Sequence, residues 1–304
     1  MTREPIVLNG QKIGRFRASK LLFTEAFRFF WADREMLWVP LIALVAQFFI
    51  LGVALFAVCI PAGMFVEGGN DVSFSAPEYA VLFVLYVVSA FVLAFSQAVI
   101  THIVYTRIHG SDATLWDGIK VATAHSSALF VWACITSTVG ILLRSIAERS
   151  QLLAKVVVAI VGTMWSVLTY FVVPAIVIDK KSAFGAISHS GNVFKRTWGE
   201  TLIANISLGL VFVAFFFVII FALIGVIFFA KVSPGAILIA GGVLIVAVIL
   251  ASLLSAVLES VLRTLLYVYA SENIVPQNFN RELLESMLGR RPVATPIPES
   301  VQAV

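Results

Sequence analysis

Charged side chains are scarce in this chain, at 12% of residues, while 60% are hydrophobic. A soluble domain carries about 25% charge, so an ordinary water-soluble fold is excluded. Cysteine is nearly absent as well. Cys59 and Cys134 lie far apart in apolar runs with no CxxC spacing. That excludes a disulfide framework or a thiolate zinc site and leaves two buried thiols behaving as small hydrophobes. Histidine is sparse, and His102, His109, His125 and His189 show no HExxH or other paired spacing. No GxGxxG, Walker-type loop or GxSxG occurs, so the motif-borne nucleotide and hydrolase chemistries are missing. No cofactor and no metal site is expected.

What the chain has instead is long apolar runs. About twenty apolar residues at 1.5 Å rise cross a hydrocarbon core of about 30 Å. Six runs meet that length or approach it: 38–60, 79–105, 127–143, 152–178, 202–230 and 236–258. The third is the shortest and stops at Arg144. The expected fold class is therefore all-α, a polytopic membrane protein. The first run begins after about 37 mostly polar residues, too far in for a secretory signal, whose apolar region spans 7–15 residues. It is expected to stay as the first membrane helix.

Basic residues set orientation, because cytoplasmic loops collect Lys and Arg. Arg3 through Arg34, Arg107 and Lys120, then Lys180, Lys181, Lys195 and Arg196, and finally Arg263, Arg281, Arg290 and Arg291 fall on one side of this topology. Arg144, Arg149, Lys155 and Lys231 fall on the other. Both termini are expected in the cytoplasm. Trp31, Trp38, Trp116, Trp132 and Trp198 fall at the same interface, where an amphipathic ring is well solvated on both sides.

A half-polar segment precedes each odd-numbered helix. Before the first, Phe16, Phe23, Phe27, Phe30 and Trp31 share one side of a helical wheel. The segment 115–125 precedes the third, and Phe184, Ile187, Phe194 and Trp198 form a stripe before the fifth. The reading is three transmembrane hairpins, each led by an amphipathic segment lying in the interface. The divisions are a polar tail (1–15), a six-helix membrane domain (16–270) and a cytoplasmic segment (271–304). The last of these includes a short helix over 279–288 and lacks a core-forming pattern from 289.

Ionisable groups deep in a membrane usually mark function, and the charges here sit at the edges. Glu259 falls about 35 Å along a helix begun at Ala236, with Arg263 one turn further in i,i+4 spacing. The mid-depth polar groups are Gln47, the cluster Thr136, Ser137 and Thr138, and the line Thr163, Ser166 and Thr169. Interhelical hydrogen bonding explains such groups before a substrate path does. Pro174 and Pro40 fall near helix ends, as kinks or stops. Gly241 and Gly242, with Ala240 and Ala247, are small enough to admit a neighbouring helix. At the surface, Lys180, Lys181, Lys195, Arg196 and Trp198 are the candidate contacts for anionic lipid.

Five stretches together resemble a family of uncharacterised bacterial six-helix membrane proteins. They are WADREMLWVPLIAL (31–44), ILLRSIAER (141–149), FVVPAIVIDK (171–180), FKRTWGE (194–200) and LRTLLYVYA (262–270). The pattern of apolar helix, proline, acidic-basic turn and amphipathic helix is also similar, more loosely, to the membrane domain joined to some glycerophosphodiester phosphodiesterases. The resemblance implies a multi-pass inner-membrane protein and transfers no catalytic residue.

These observations lead to a non-enzymatic protein of the bacterial inner membrane, a scaffold or accessory in envelope or lipid-related processes. Its expected partners are the lipid bilayer and the anionic headgroups of the cytoplasmic leaflet. There is room for a membrane-protein partner or a homo-oligomer. The net charge of +4 is spread over cytoplasmic loops, which favours lipid over nucleic acid. One alternative is a small-molecule or lipid permease lined by the mid-depth groups. Another is a membrane enzyme, which requires His102, His189, Glu200 and Glu259 to converge.

Overall fold

In lipid every backbone N–H and C=O must be bonded within its own segment, so long apolar runs fold as helices. The computed structural model, which describes residues 6–8, 11–13, 34–59, 76–149, 152–198 and 234–274, follows that rule. A 3₁₀ turn (Arg34–Leu37) leads into α1 (Trp38–Ala54), which ends in one π turn (Leu55–Cys59). Then come α2 (Ala76–Ile108), α3 (Leu115–Ala124), α4 (Ser126–Arg149) and α5 (Leu152–Leu168). The last three are α6 (Val172–Val177), α7 (Ala183–Trp198) and α8 (Pro234–Glu272). Among the described residues the one departure from helix is a small hairpin inside the expected polar tail. Its strands β1 (Ile6–Leu8) and β2 (Gln11–Ile13) pair antiparallel, Ile6 opposite Ile13. Asn9-Gly10 between them is a strong hairpin signal, and the rest of the described chain is helices and their connecting turns, as the all-α reading expects.

Five stretches are long and apolar enough to cross a bilayer: Glu35–Val58, Pro77–Ile108, Ser126–Ala147, Val156–Val177 and Val248–Glu272. Large apolar side chains on α1 and its extension point outward, Phe49 being 74% and Phe56 75% exposed. Continuous apolar faces of this kind are untenable in water. The protein is membrane-embedded and multi-pass. The expected span 202–230, the stripe from Phe16 to Trp31, the helix over 279–288 and the tail from 289 lie outside the described residues.

The core forms around α2, which packs against α1, α3, α4, α6 and α8. Helix association in lipid depends on close packing through small residues, and these are present. Ala94 and Ala98 are buried on α2, and Ala183, Ala186 and Gly191 on α7. The tightest approach is α3 on α2. A Cβ built on Gly118 would stand 2.9 Å from Val99 Cγ1 and 3.0 Å from the Val99 carbonyl. Among the described residues, a Cβ on Gly241 or Gly242 would meet nothing within 4 Å.

Two further expectations are corrected. The third helix does not stop at Arg144 but continues to Arg149, through residues that are good helix formers. The last described helix is one rod of 39 residues, continuing past the apolar core that ends at Leu258 through Glu259, Arg263, Tyr267 and Tyr269 as their spacing suggested. The fourth span is not continuous, because α5 ends at Leu168 and the chain turns over 169–171 before α6. Pro174 is the cause. It lacks the N–H that would bond the Tyr170 carbonyl, and its ring crowds that carbonyl. At the turn the Phe171 N–H donates to Ser190 Oγ at 3.0 Å, and all six residues of α6 are buried.

The turn after α6 reverses through Lys180 at φ 55°, a left-handed conformation uncommon outside glycine. The Lys181 N–H closes it by donating to the Ala175 carbonyl at 3.3 Å. α7 then packs one face against α4, α5, α6 and α8. That face consists of Ala183, Ala186, Ser190, Gly191, Val193 and Phe194, all buried. Phe184, expected in the apolar stripe, lies off it and is 70% exposed.

Candidate functional site

Two polar centres are built on the last third of α8. The first gathers around Tyr267 and Glu272 near its end. Tyr267 Oη donates to Asp179 Oδ2 at 2.7 Å. His189 Nε2 lies 3.0 Å from the same oxygen, at an angle that makes no hydrogen bond. On the other side of α8, Tyr105 Oη donates to Glu272 Oε1 at 3.2 Å. His109 Nε2 meets Glu272 Oε2 at 3.0 Å, and its Nδ1 lies 2.9 Å from the Tyr105 carbonyl. These contacts clamp the ends of α2 and α8 to the 178–182 turn and to α7. Each carboxylate is engaged by a tyrosine and a histidine. Among the described residues no group of three or more His, Cys, Asp or Glu side chains is arranged to hold a metal.

The second centre is a cavity of about 460 Å³ one to two turns earlier on α8. Glu259 and Arg263 form an i,i+4 ion pair on its α8 wall, and the Arg263 guanidinium lies 4.6 Å over the Tyr170 ring. Gln97 of α2 and Trp132 of α4 close the sides. Trp132 in turn stacks on Trp165, centroids 6.2 Å apart. Ser166, Thr169 and Val173 border it from the broken fourth span.

The sequence candidates are distributed unevenly between these centres. Ser166 and Thr169 line the cavity, whereas Thr163 is not among its lining residues. All three hydroxyls donate to the carbonyl four residues back, which satisfies them without a second helix. Thr138 does the same to Cys134. Thr136 is half-buried with no contact to the cavity, and Ser137 is buried with no partner for its Oγ. Gln47 is held elsewhere. Its Nε2 donates to the Ser89 carbonyl at 3.0 Å, and Ser89 Oγ donates back to Oε1 at 2.6 Å. The mid-depth set therefore does not form one path.

At the surface, Lys180 and Lys195 are exposed and Lys181 is half-buried. Arg196 and Trp198 belong to α7, with side chains outside the described residues. The four groups named for an enzymatic centre do not meet among the described residues. His189 faces Asp179, Glu259 pairs with Arg263, and His102 lies near Asp117 and His125. Glu200 lies outside the described residues.

Sequence reasoning missed Asp179, Tyr105, His109 and Glu272 as one assembly. Tyr105 and His109 are spaced i,i+4 at the end of an apolar run, which is a faint signal. Their meeting with Glu272 is a tertiary fact over 163 residues and left no local trace. At the start of α3 the signal was clear. Thr114 Oγ1 accepts the Asp117 N–H at 3.3 Å, and Asp117 Oδ2 accepts the Thr114 N–H at 3.1 Å. The Thr114 hydroxyl and N–H hold the Asp117 carboxyl below its ordinary value.

A sequence model for a family of unknown function (DUF6159) matches residues 76–275. That range contains both polar centres and excludes α1 with Gln47. No curated protein and no solved structure matches.

Proposed function

We propose that this chain, which belongs to the family of unknown function DUF6159, is a non-catalytic scaffold or accessory in envelope or lipid-related processes. In this reading it sits in the bacterial inner membrane and crosses the bilayer six times as three hairpins. Both termini are cytoplasmic. The observation that carries it is the state of the ionisable groups around Tyr267 and Glu272. They engage one another across four elements and hold the bundle shut beside Lys180 and Lys181. Residues so engaged serve architecture, and the lysines beside them, Lys180 exposed and Lys181 half-buried, serve the headgroups.

The test is a combined Lys180→Gln, Lys181→Gln, Lys195→Gln and Arg196→Gln variant in nanodiscs assembled from mixed phosphatidylglycerol and phosphatidylcholine. The native chain is expected to retain an excess of phosphatidylglycerol, and the variant to lose most of it. Equal retention by both would remove the lipid-collar reading.

A second reading, a small-molecule or lipid permease, draws support from one observation: Ser166 and Thr169 border a cavity between helices. Flux into proteoliposomes that is abolished when Thr169→Trp fills that space would favour it over the scaffold.

A further inference from the structure

His109 follows the last residue of α2, and both nitrogens of its ring face oxygen. Nδ1 lies 2.9 Å from the Tyr105 carbonyl, and Nε2 lies 3.0 Å from Glu272 Oε2 on α8. A carbonyl has no proton to give, and neither has an ionised carboxylate. Neutral imidazole carries one N–H and one lone pair, so beside these two oxygens it satisfies one contact and strains the other. Imidazolium donates at both. The same count holds if the proton sits on the carboxyl instead. Either way the pair holds one proton more than a neutral ring beside a carboxylate.

His125 is the comparison within the chain. Its Nδ1 lies 2.9 Å from the Val121 carbonyl, again four residues back. Among the described residues no carboxylate pairs with its Nε2, so a neutral ring protonated at Nδ1 serves there. Two features around His109 favour the additional proton. The carbonyls that close a helix attract a cation, and Tyr105 is among the last four residues of α2. Glu272 also accepts the Tyr105 hydroxyl through Oε1 at 3.2 Å, which suits its ionised form.

The other charged groups of this corner are engaged in ways that leave the pair to itself. Arg107 is bound to Asp112 at 3.1 Å. Asp179, in the turn that also carries Lys180 and Lys181, lies within electrostatic reach of Tyr105. It takes the Tyr267 hydroxyl and faces His189 of α7.

We propose that the clamp between α2 and α8 is a proton-operated latch, closed while the His109–Glu272 pair holds its additional proton and loosened when that proton leaves. This deepens the reading of the clamp as architecture by giving it a signal. The sign follows from linkage: the closed form binds more protons, so acid favours it and mild base opens it. Histidine chemistry puts such a change between about pH 5 and 8. The two side chains are 34% and 27% exposed, so the response is a local loosening and not a collapse of the fold.

Hydrogen–deuterium exchange of the full chain in detergent tests this at about pH 5.5 and about pH 8.5, on either side of that range. Rates are corrected for the intrinsic pH dependence of amide exchange. Peptides covering the end of α2 and the last turn of α8 should lose protection about threefold or more at the higher pH. The middle of α2 should not change. Glu272→Gln presents an amide N–H to a bare Nε2, so it should keep the latch closed at both pH values. His109→Gln cannot take the proton and should also show no pH response, whereas His125→Gln should respond as the native chain does. Helical circular dichroism confirms that each variant is folded, and Glu272→Gln decides alone if His109→Gln is not. Equal protection of the native chain at both pH values overturns the proposal. So does a pH response that survives in the folded His109→Gln and Glu272→Gln variants, or one that only His189→Gln abolishes. None of these substitutions touches the lysines and arginine of the lipid collar, so this latch and the collar reading fail separately.

Discussion

Ser190 Oγ accepts the backbone N–H of Phe171 at 3.0 Å, a buried contact between residues 19 apart. Phe171 is the residue at which the fourth span breaks, and Ser190 belongs to the following amphipathic helix. The break and the helix that covers it are thus one structural unit. The helix breaks beside Pro174, and the next helix supplies the acceptor for the Phe171 N–H.

Ser190→Ala should therefore destabilise the protein by about 1–3 kcal/mol, the cost of a buried donor left unmade. Ser188→Ala, two residues away and exposed, should lie within error of the native chain. Thermal unfolding in detergent, followed by helical circular dichroism, makes the comparison.

Gly118 lies where α3 presses on α2. Gly118→Ala forces a Cβ to 2.9 Å from Val99 Cγ1 and 3.0 Å from its carbonyl. Overpacking of this kind costs about 1–3 kcal/mol. The same change at Gly52 meets nothing within 4 Å and should be neutral or mildly stabilising. Opposite responses of these two glycines in one denaturation assay would establish the point. Similar responses would contradict it.

Gln47 and Ser89 should show coupling between α1 and α2. In membranes such pairs average about 0.6 kcal/mol and reach about 1.7. A double-mutant cycle with Gln47→Ala and Ser89→Ala reads the Oε1 contact, because the backbone contact survives the serine change.

The α3 cap carries a pH dependence. Asp117 titrates below its ordinary value because Thr114 bonds its charged form. Its contribution is present in full above the unfolded value, about 3.9, and is lost as pH falls through the lowered folded value. Thr114→Ala should return the carboxyl toward its ordinary value and cost the helix about 1 kcal/mol. A carbon-13 titration of labelled aspartate reports the shift.

Spans and surface helices were legible because they follow from composition and periodicity, which are local. LWDGIKVATAH at 115–125 announced α3, and AFGAISHSGNVFKRTW contains the α7 pattern. Pro174 was visible as a kink or helix end, but its depth of burial was not, since six apolar residues look alike whether lipid or protein surrounds them. Of the cavity, Ser166 and Thr169 were named, and Glu259 with Arg263 was seen as a pair. Gln97, Trp132 and Tyr170 join them only through packing, which a single sequence does not state. Gln47 stood out for being polar at mid-depth, and a serine on the next helix absorbs it.

At 39 residues, α8 is continuous from Pro234 to Glu272, about 58 Å at 1.5 Å per residue. That is nearly twice the thickness of a hydrocarbon core of about 30 Å. A rod of this length has to lean or overshoot, and the helices packed against it, with its interfacial anchors, set the angle. Glu259, Arg263, Tyr267 and Glu272 ride on that one rod. The cavity wall and the clamp therefore have a common lever, and neither can be repositioned alone.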